Sequence, residues 1–122
     1  MTMARCVTLL GVAGVLLGCQ DNAPARPVPG GDPAAGKQLL AERGCGSCHT
    51  IPGVSGANGL VGPPLDHFAR RTYIAGEVIN NADFLVRWIE VPQAIEPGTA
   101  MPNLGITEGQ ARSMAAYLYT LH

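Results

Sequence analysis

The sequence is poor in lysine and nearly balanced in charge. Lys37 is its single lysine, and the formal net charge of the 122 residues is −1. Proteins that bind nucleic acids neutralise phosphates with clusters of Lys and Arg, so we expect no nucleic-acid partner. The scarcity of lysine also argues against a strong positive patch that would steer association with an acidic protein.

The sequence has few aromatic residues and lacks the pattern of a β-strand. Two Phe, one Trp and three Tyr are its whole aromatic content. No segment alternates apolar and polar residues as a half-buried strand does. Small domains with so thin a core are commonly completed by disulfides, a metal or a cofactor.

Long hydrophobic runs are absent as well. The apolar run over residues 7–17 would span about 16 Å as a helix, against about 30 Å for the core of a bilayer. It follows a single charge, Arg5, and a charged start with a short apolar run is typical of an export signal. We therefore interpret residues 1–18 as a leader rather than as part of the fold.

The end of this leader resembles the lipobox of bacterial lipoproteins. The letters LLGC, which end at Cys19, place a small residue before a cysteine whose thiol would carry a lipid. We expect lipid attachment at Cys19, on the periplasmic side of a bacterial membrane and without a spanning helix; ordinary signal cleavage is the alternative. Residues 19–31, rich in Pro and Gly, are predicted to be a tether, and residues 32–122 the folded domain.

Capping patterns predict that this domain is all-α. Asp32 before Pro33 is typical of a helix start, and that helix would end at Gly44. Asn81 precedes a second helix, and Thr107 begins a third with a capping-box pattern. A short helical segment over residues 66–71 is a fourth candidate. The Gly- and Pro-rich stretches 50–64 and 92–105 are predicted to be long loops.

The second helix is predicted to bury one apolar face, formed by Phe84, Leu85, Trp88 and Ile89. The apolar stripe of the last helix is larger. It comprises Ala111, Met114, Ala115, Leu118 and Leu121. The expected architecture is three to four helices joined by long loops.

Cys45 and Cys48 are the cysteines that remain after the leader and the lipid site, so no disulfide framework is expected. The pattern Cys45-x-x-Cys48-His49 is compatible with a zinc site, a redox disulfide or covalent haem attachment. Zinc needs four ligands, usually in two pairs, and His67 and His122 supply no second cysteine pair. A thioredoxin-like redox pair would require a βαβ context, which the helical pattern does not offer.

Covalent haem attachment explains the motif best. Each thiol can add to one porphyrin vinyl group, and His49 can then bind the iron from one face. Met101 is the predicted ligand of the opposite face, because it lies in a loop stiffened by prolines and its thioether suits low-spin iron. Met114 is interpreted as a core residue. His67, another ligand or an open position is the alternative to Met101.

These motifs, in this order, resemble the class I cytochromes c. The resemblance covers residues 32–122 and rests on the Cys-x-x-Cys-His motif, Gly62-Pro63-x-Leu65, a helix with a Trp, Pro-Gly-Thr-x-Met-Pro and a final aromatic helix. The sequence particularly resembles the cytochrome c domains associated with bacterial haem–copper oxidases. The resemblance implies one haem c, attached through Cys45 and Cys48.

The resemblance also implies roles for further residues. The carbonyl of Pro63 would accept a hydrogen bond from His49 Nδ1, which orients a metal-binding ring. Trp88 would pack against the haem and donate to a propionate, and Arg71 and Tyr73 are further propionate candidates. A helix crossing between Gly36 and Met114 is expected. Mitochondrial-type members carry a ring of lysines around the haem edge, whereas this sequence has a single lysine.

The predicted function is one-electron transfer in a periplasmic respiratory chain. The expected donor is a quinol-oxidising complex or a dehydrogenase, and the expected acceptor is a terminal oxidase. One alternative is a haem c subunit of a periplasmic dehydrogenase or oxidase complex. Another is a ligand-binding haem sensor, which would require an iron position that opens.

Overall fold

The structure, a computed structural model, describes residues 25–122. The predicted leader, the lipid site at Cys19 and the first part of the predicted tether lie outside the described residues. Within residues 25–122, no helix is both long and apolar enough to cross a membrane.

The described part of the chain contains three α-helices, within the predicted number of three to four. They are α1 (Pro33–Glu42), α2 (Ala82–Glu90) and α3 (Glu108–Leu118). The predicted caps are present: the Asp32 side chain accepts from the backbone N–H of Ala34 at 2.9 Å, and α3 begins with a complete capping box. These side chains satisfy backbone N–H groups that have no partner inside a helix.

The remaining regular structure is short. Single 3₁₀ turns occupy Cys45–Ser47, Phe68–Arg70 and Pro92–Ala94, and the second of these takes the place of the helical segment predicted over residues 66–71. The all-α fold class is confirmed, and the structure adds one short hairpin to it. An antiparallel hairpin pairs β1 (Tyr73–Ile74) with β2 (Val78–Ile79), and strands of two residues are too short to show an alternating pattern.

Helices α1 and α3 cross at Gly36, as the resemblance implies. A Cβ atom at Gly36 would overlap the carbonyl oxygen of Ser113 and lie 2.9 Å from the backbone nitrogen of Met114. Gly36 and Met114 are both buried. The absence of a side chain at position 36 therefore lets the two helix backbones touch.

Helix α2 buries a different arc from the one predicted. Leu85 and Ile89 are buried, and Trp88 is half-buried, as expected. Phe84, however, is 41% exposed, and Val86 is buried instead. Val86 lies on the side of α2 that faces α3, so the helix packs against α3 as well as against the loops, and its buried arc is rotated accordingly.

Residues 26–31, which we call the N-terminal strap, lie against the folded domain. The side chain of Val28 is buried in the core, and a Cβ atom at Gly31 would overlap the carbonyl oxygen of Arg112. Arg26 Nη1 donates to the carbonyl oxygen of Asn80 at 2.7 Å, and its guanidinium lies over the Tyr119 ring. The described part of the predicted tether is thus in contact with the domain.

The helix crossing gives a test with an internal control. We expect Gly36→Ala to lower the free energy of unfolding by about 3 kcal/mol, because the added methyl group overlaps backbone atoms that cannot move aside easily. Gly109→Ala adds the same methyl group to α3 where no atom lies within 4 Å. That variant should be neutral or stabilise the protein by up to about 1 kcal/mol. Equal stability of the two variants in denaturant unfolding would contradict the crossing.

Candidate functional site

A cavity of about 720 Å³ lies between the helices and the two long loops. Volumes of this size are typical of small-molecule and cofactor sites. All the residues predicted for the site line it: Cys45, Cys48, His49, Pro63, Arg71, Tyr73, Trp88 and Met101. The surface residue His67 and the C-terminal His122 are not among the lining residues.

The two cysteines reach the cavity from a single tight turn. The chain leaves α1 through Gly44, which has a φ of 73°, and enters the 3₁₀ turn at Cys45. The carbonyl oxygen of Cys45 accepts hydrogen bonds from the backbone N–H of Cys48 at 3.2 Å and of His49 at 3.0 Å. The three side chains of the motif therefore share one rigid piece of backbone.

Both cysteines are free thiols and half-buried. Burial raises the pKa of the Cys45 thiol; a backbone hydrogen bond opposes this shift and the neighbouring Cys48 adds to it. Before a thioether forms, burial therefore favours the neutral form of the Cys45 thiol.

The ring of His49 is oriented by the loop that faces it. Its Nδ1 lies 2.7 Å from the carbonyl oxygen of Pro63, the contact that the resemblance implied. Because a carbonyl oxygen only accepts, Nδ1 carries the hydrogen and Nε2 keeps its lone pair for a metal. A Cβ atom at Gly62 would overlap the His49 ring, so this position requires glycine.

Met101 enters the cavity from the second long loop. Its backbone N–H donates to Thr99 Oγ1 at 3.2 Å, and its carbonyl oxygen accepts from Gln93 Nε2 at 2.7 Å. Sequence reasoning did not single out Gln93, since an exposed glutamine eight residues before a ligand carries no recognisable signal. Met114 also lines the cavity and is fully buried on α3.

The three candidates for propionate contacts differ in what they touch. Arg71 donates to the carbonyl oxygens of Pro64 and Asp66, and lies 3.7 Å from an oxygen of the Asp66 carboxylate. Tyr73 is 56% exposed at the edge of the cavity. Trp88 lines it from α2. Their proposed contacts to a propionate stay predictions.

The competing interpretations of the cysteine pair find no support in the described residues. Within residues 25–122, no three His, Cys, Asp or Glu side chains come together as a metal cluster. The strands in this range form only a two-stranded antiparallel hairpin, whereas a thioredoxin-like site requires parallel strands and a crossover helix.

A comparison with known families decides the matter. The family model described as "Cytochrome c" matches residues 33–122. The chain belongs to the cytochrome c family. This family implies a covalently bound haem c and a role in electron transfer.

Individual cytochromes c and oxidase subunits are similar to this chain. Cytochrome c2 of Rhodopila globiformis is 33% identical over 105 residues, which cover 76% of this chain and 96% of that protein. Cytochrome c oxidase subunit 2 of Alkalihalophilus pseudofirmus is 34% identical over 87 residues, or 70% of this chain and 25% of the subunit. Its counterpart in Bacillus subtilis is 30% identical over 86 residues, 69% of this chain and 24% of the subunit. The chain thus spans about a quarter of the two oxidase subunits.

The residues around the cavity of this cytochrome c domain fit a haem c. The wall is mainly apolar and includes the buried side chains of Leu85, Ile89 and Leu118. Two thiols, one imidazole with a free Nε2 and one loop thioether converge on it. These are the donors that covalent attachment and His/Met ligation require.

The two methionines of the cavity can be distinguished by matched variants. Leucine keeps most of the volume of methionine and lacks sulfur, so Met114→Leu should cost less than about 1.5 kcal/mol of stability, whereas Met101→Leu would also remove the proposed sulfur–iron bond. We expect Met101→Leu to abolish the sulfur-to-iron charge-transfer band of the ferric protein, and Met114→Leu to retain it. The opposite outcome in absorption spectra would assign the ligand to Met114.

Proposed function

We propose that this protein is a one-electron carrier, exported and anchored by a lipid at Cys19 on the periplasmic side of a bacterial membrane. The observation that carries the proposal is the convergence of His49 and Met101 on the cavity that also receives both cysteines. The electron would come from a quinol-oxidising complex or a dehydrogenase and pass to a terminal oxidase.

Two protein ligands favour a carrier over a catalyst or a ligand sensor. A bound haem c supplies an iron that alternates between ferric and ferrous states. Cys45 and Cys48 would anchor the group, while Pro63 orients His49 and the loop around residue 101 presents a thioether. If His49 and Met101 both bind the iron, they would leave no position on it for a substrate or a diatomic ligand.

The cavity wall supports the same role. Met114 on α3 and Leu85 and Ile89 on α2 are buried, so they keep water away from the redox centre. Little solvent then has to reorganise when the charge of the centre changes by one unit. Helices α2 and α3 and the two long loops around the cavity also limit movement of the ligands, which keeps the structural change on electron transfer small.

The partners are proposed from the relatives and from the surface. The oxidase subunits named above carry a region similar to this chain, which supports a terminal oxidase as acceptor. Leu60 and Val61 are 86% and 79% exposed, and Leu104 is 41% exposed. Val61 and Leu104 also line the cavity. We infer that this apolar rim, Leu60, Val61 and Leu104, contacts the redox partner in place of a lysine ring.

A haem c subunit of a periplasmic oxidase or dehydrogenase complex is the second candidate. The similarity to a quarter of an oxidase subunit favours it, because there the same region is part of a larger protein. Copurification of the protein from membranes in a stable complex would support this candidate over a carrier that dissociates between turnovers.

The proposal is tested by spectra of the purified exported protein. We expect a low-spin spectrum in both redox states, with haem retained on the chain through a denaturing gel. The double variant Cys45→Ser, Cys48→Ser should lose the retained haem, because serine forms no thioether. Ready binding of carbon monoxide by the reduced protein at neutral pH would instead indicate an open iron position and a sensor.

The apolar rim gives a kinetic prediction. Leu60→Asp should slow electron transfer to an oxidase about tenfold, since a charge would have to be desolvated in the contact. Val91→Asp is the matched control, because Val91 is also exposed, at 38%, but lies in a groove between α2 and α3 outside the cavity. Equal rates for the two variants in stopped-flow measurements, with unchanged spectra, would remove the rim from the docking surface.

A further inference from the structure

The Met101 loop, residues 95–105, follows the 3₁₀ turn Pro92–Ala94. Side chains within the loop form hydrogen bonds to its backbone. Glu96 Oε1 accepts from the backbone N–H of Gly98 at 3.0 Å, and Thr99 Oγ1 accepts from that of Met101 at 3.2 Å. Both donor–acceptor pairs lie within the loop. They shape the loop locally but leave its position relative to the cavity walls unspecified.

Gln93 supplies the contact that reaches outside the loop. Its Nε2 donates to the carbonyl oxygen of Met101 at 2.7 Å. Gln93 belongs to the 3₁₀ turn Pro92–Ala94, which directly follows α2. The bond therefore connects the backbone of Met101 to the end of the helix that carries Trp88 and Ile89 of the cavity wall.

The turn that carries Gln93 is itself rigid. The side chain of Pro92 is fully buried, and its carbonyl oxygen accepts from the backbone N–H of Ile95 at 3.1 Å and of Glu96 at 3.0 Å. Because the turn is fixed at the end of α2, the backbone from which the Gln93 side chain extends is positioned by α2 and not by the loop it contacts.

The direction of the Met101 carbonyl helps to fix the backbone from which the Met101 side chain extends. Pro102 follows Met101 and restricts it to an extended backbone conformation. With the N–H bonded to Thr99 and the carbonyl bonded to Gln93, both backbone polar groups of Met101 are fixed. The bond from Cα to Cβ then has one direction, which leads into the cavity.

We propose that Gln93 is a positioning residue that determines how firmly the Met101 sulfur is held at its ligand position. This inference rests on the proposed function, in which Met101 binds the haem iron. Gln93 does not contact the iron and takes no direct part in electron transfer. It acts only through the backbone of Met101. Since Gln93 is exposed, the effect is that of a single solvent-accessible hydrogen bond, a factor of roughly two to twelve in an equilibrium constant.

The experiment compares two substitutions of Gln93 with a control glutamine. Gln93→Glu keeps the shape of the side chain but removes the N–H donor at neutral pH, and Gln93→Ala removes the side chain. Gln38→Ala is the control, because Gln38 is also exposed and donates to Glu42 at 2.7 Å on α1. The measurement is the midpoint pH at which half of the ferric protein has lost the sulfur-to-iron charge-transfer band as the pH is raised, together with the denaturant stability of each variant.

At any given pH, the ratio of protein that has lost the sulfur–iron bond to protein that retains it should be two- to twelvefold higher in both Gln93 variants than in the wild type. Their midpoint pH should fall accordingly, while denaturant stability stays close to that of the wild type. Gln38→Ala should leave the midpoint unchanged. Wild-type midpoints in both Gln93 variants, or a midpoint shift that merely follows global stability, would overturn the inference alone. Absence of the band from the wild-type protein would overturn Met101 ligation and this inference together.

Discussion

The contact between the α1 and α3 backbones at Gly36 positions part of the cavity wall and the turn that carries Cys45. Because no side chain separates the helices there, α1 and α3 both contribute to the cavity wall, through Leu40 and Met114. The turn with Cys45 begins three residues after α1 ends. The direction of that helix therefore sets where the thiols and the imidazole enter the cavity.

Sequence reasoning succeeded where a feature depends on neighbouring residues. Helix caps at Asp32, Asn81 and Thr107 are local patterns with a local physical cause, the unsatisfied N–H groups of a first helical turn. The Cys-x-x-Cys-His motif and the proline-flanked Met101 are local in the same sense. Together they were sufficient to predict the all-α fold and that Cys45, Cys48, His49 and Met101 belong to one site; these four residues line the same cavity.

Features that depend on distant contacts could not be predicted in this way. Val28 lies in a Pro/Gly-rich stretch that resembles a tether, yet it is buried, and the same stretch contacts α3 at Gly31, about eighty residues before Arg112. Phe84 is apolar and in phase with the buried face of α2, yet the position of α3 leaves it exposed. The bond from Gln93 to Met101 requires the path of the loop between them.

With a lipid at Cys19, as proposed, the docked N-terminal strap would limit how far this domain moves from the membrane. It packs along Arg112 and Tyr119, on the side of α3 away from the cavity-lining Met114. Only six residues separate Arg26 from Cys19, a span of at most about 25 Å when fully extended. For a lipid at Cys19, encounters would be restricted to a thin layer above the membrane. Partners would then be found by lateral diffusion in two dimensions.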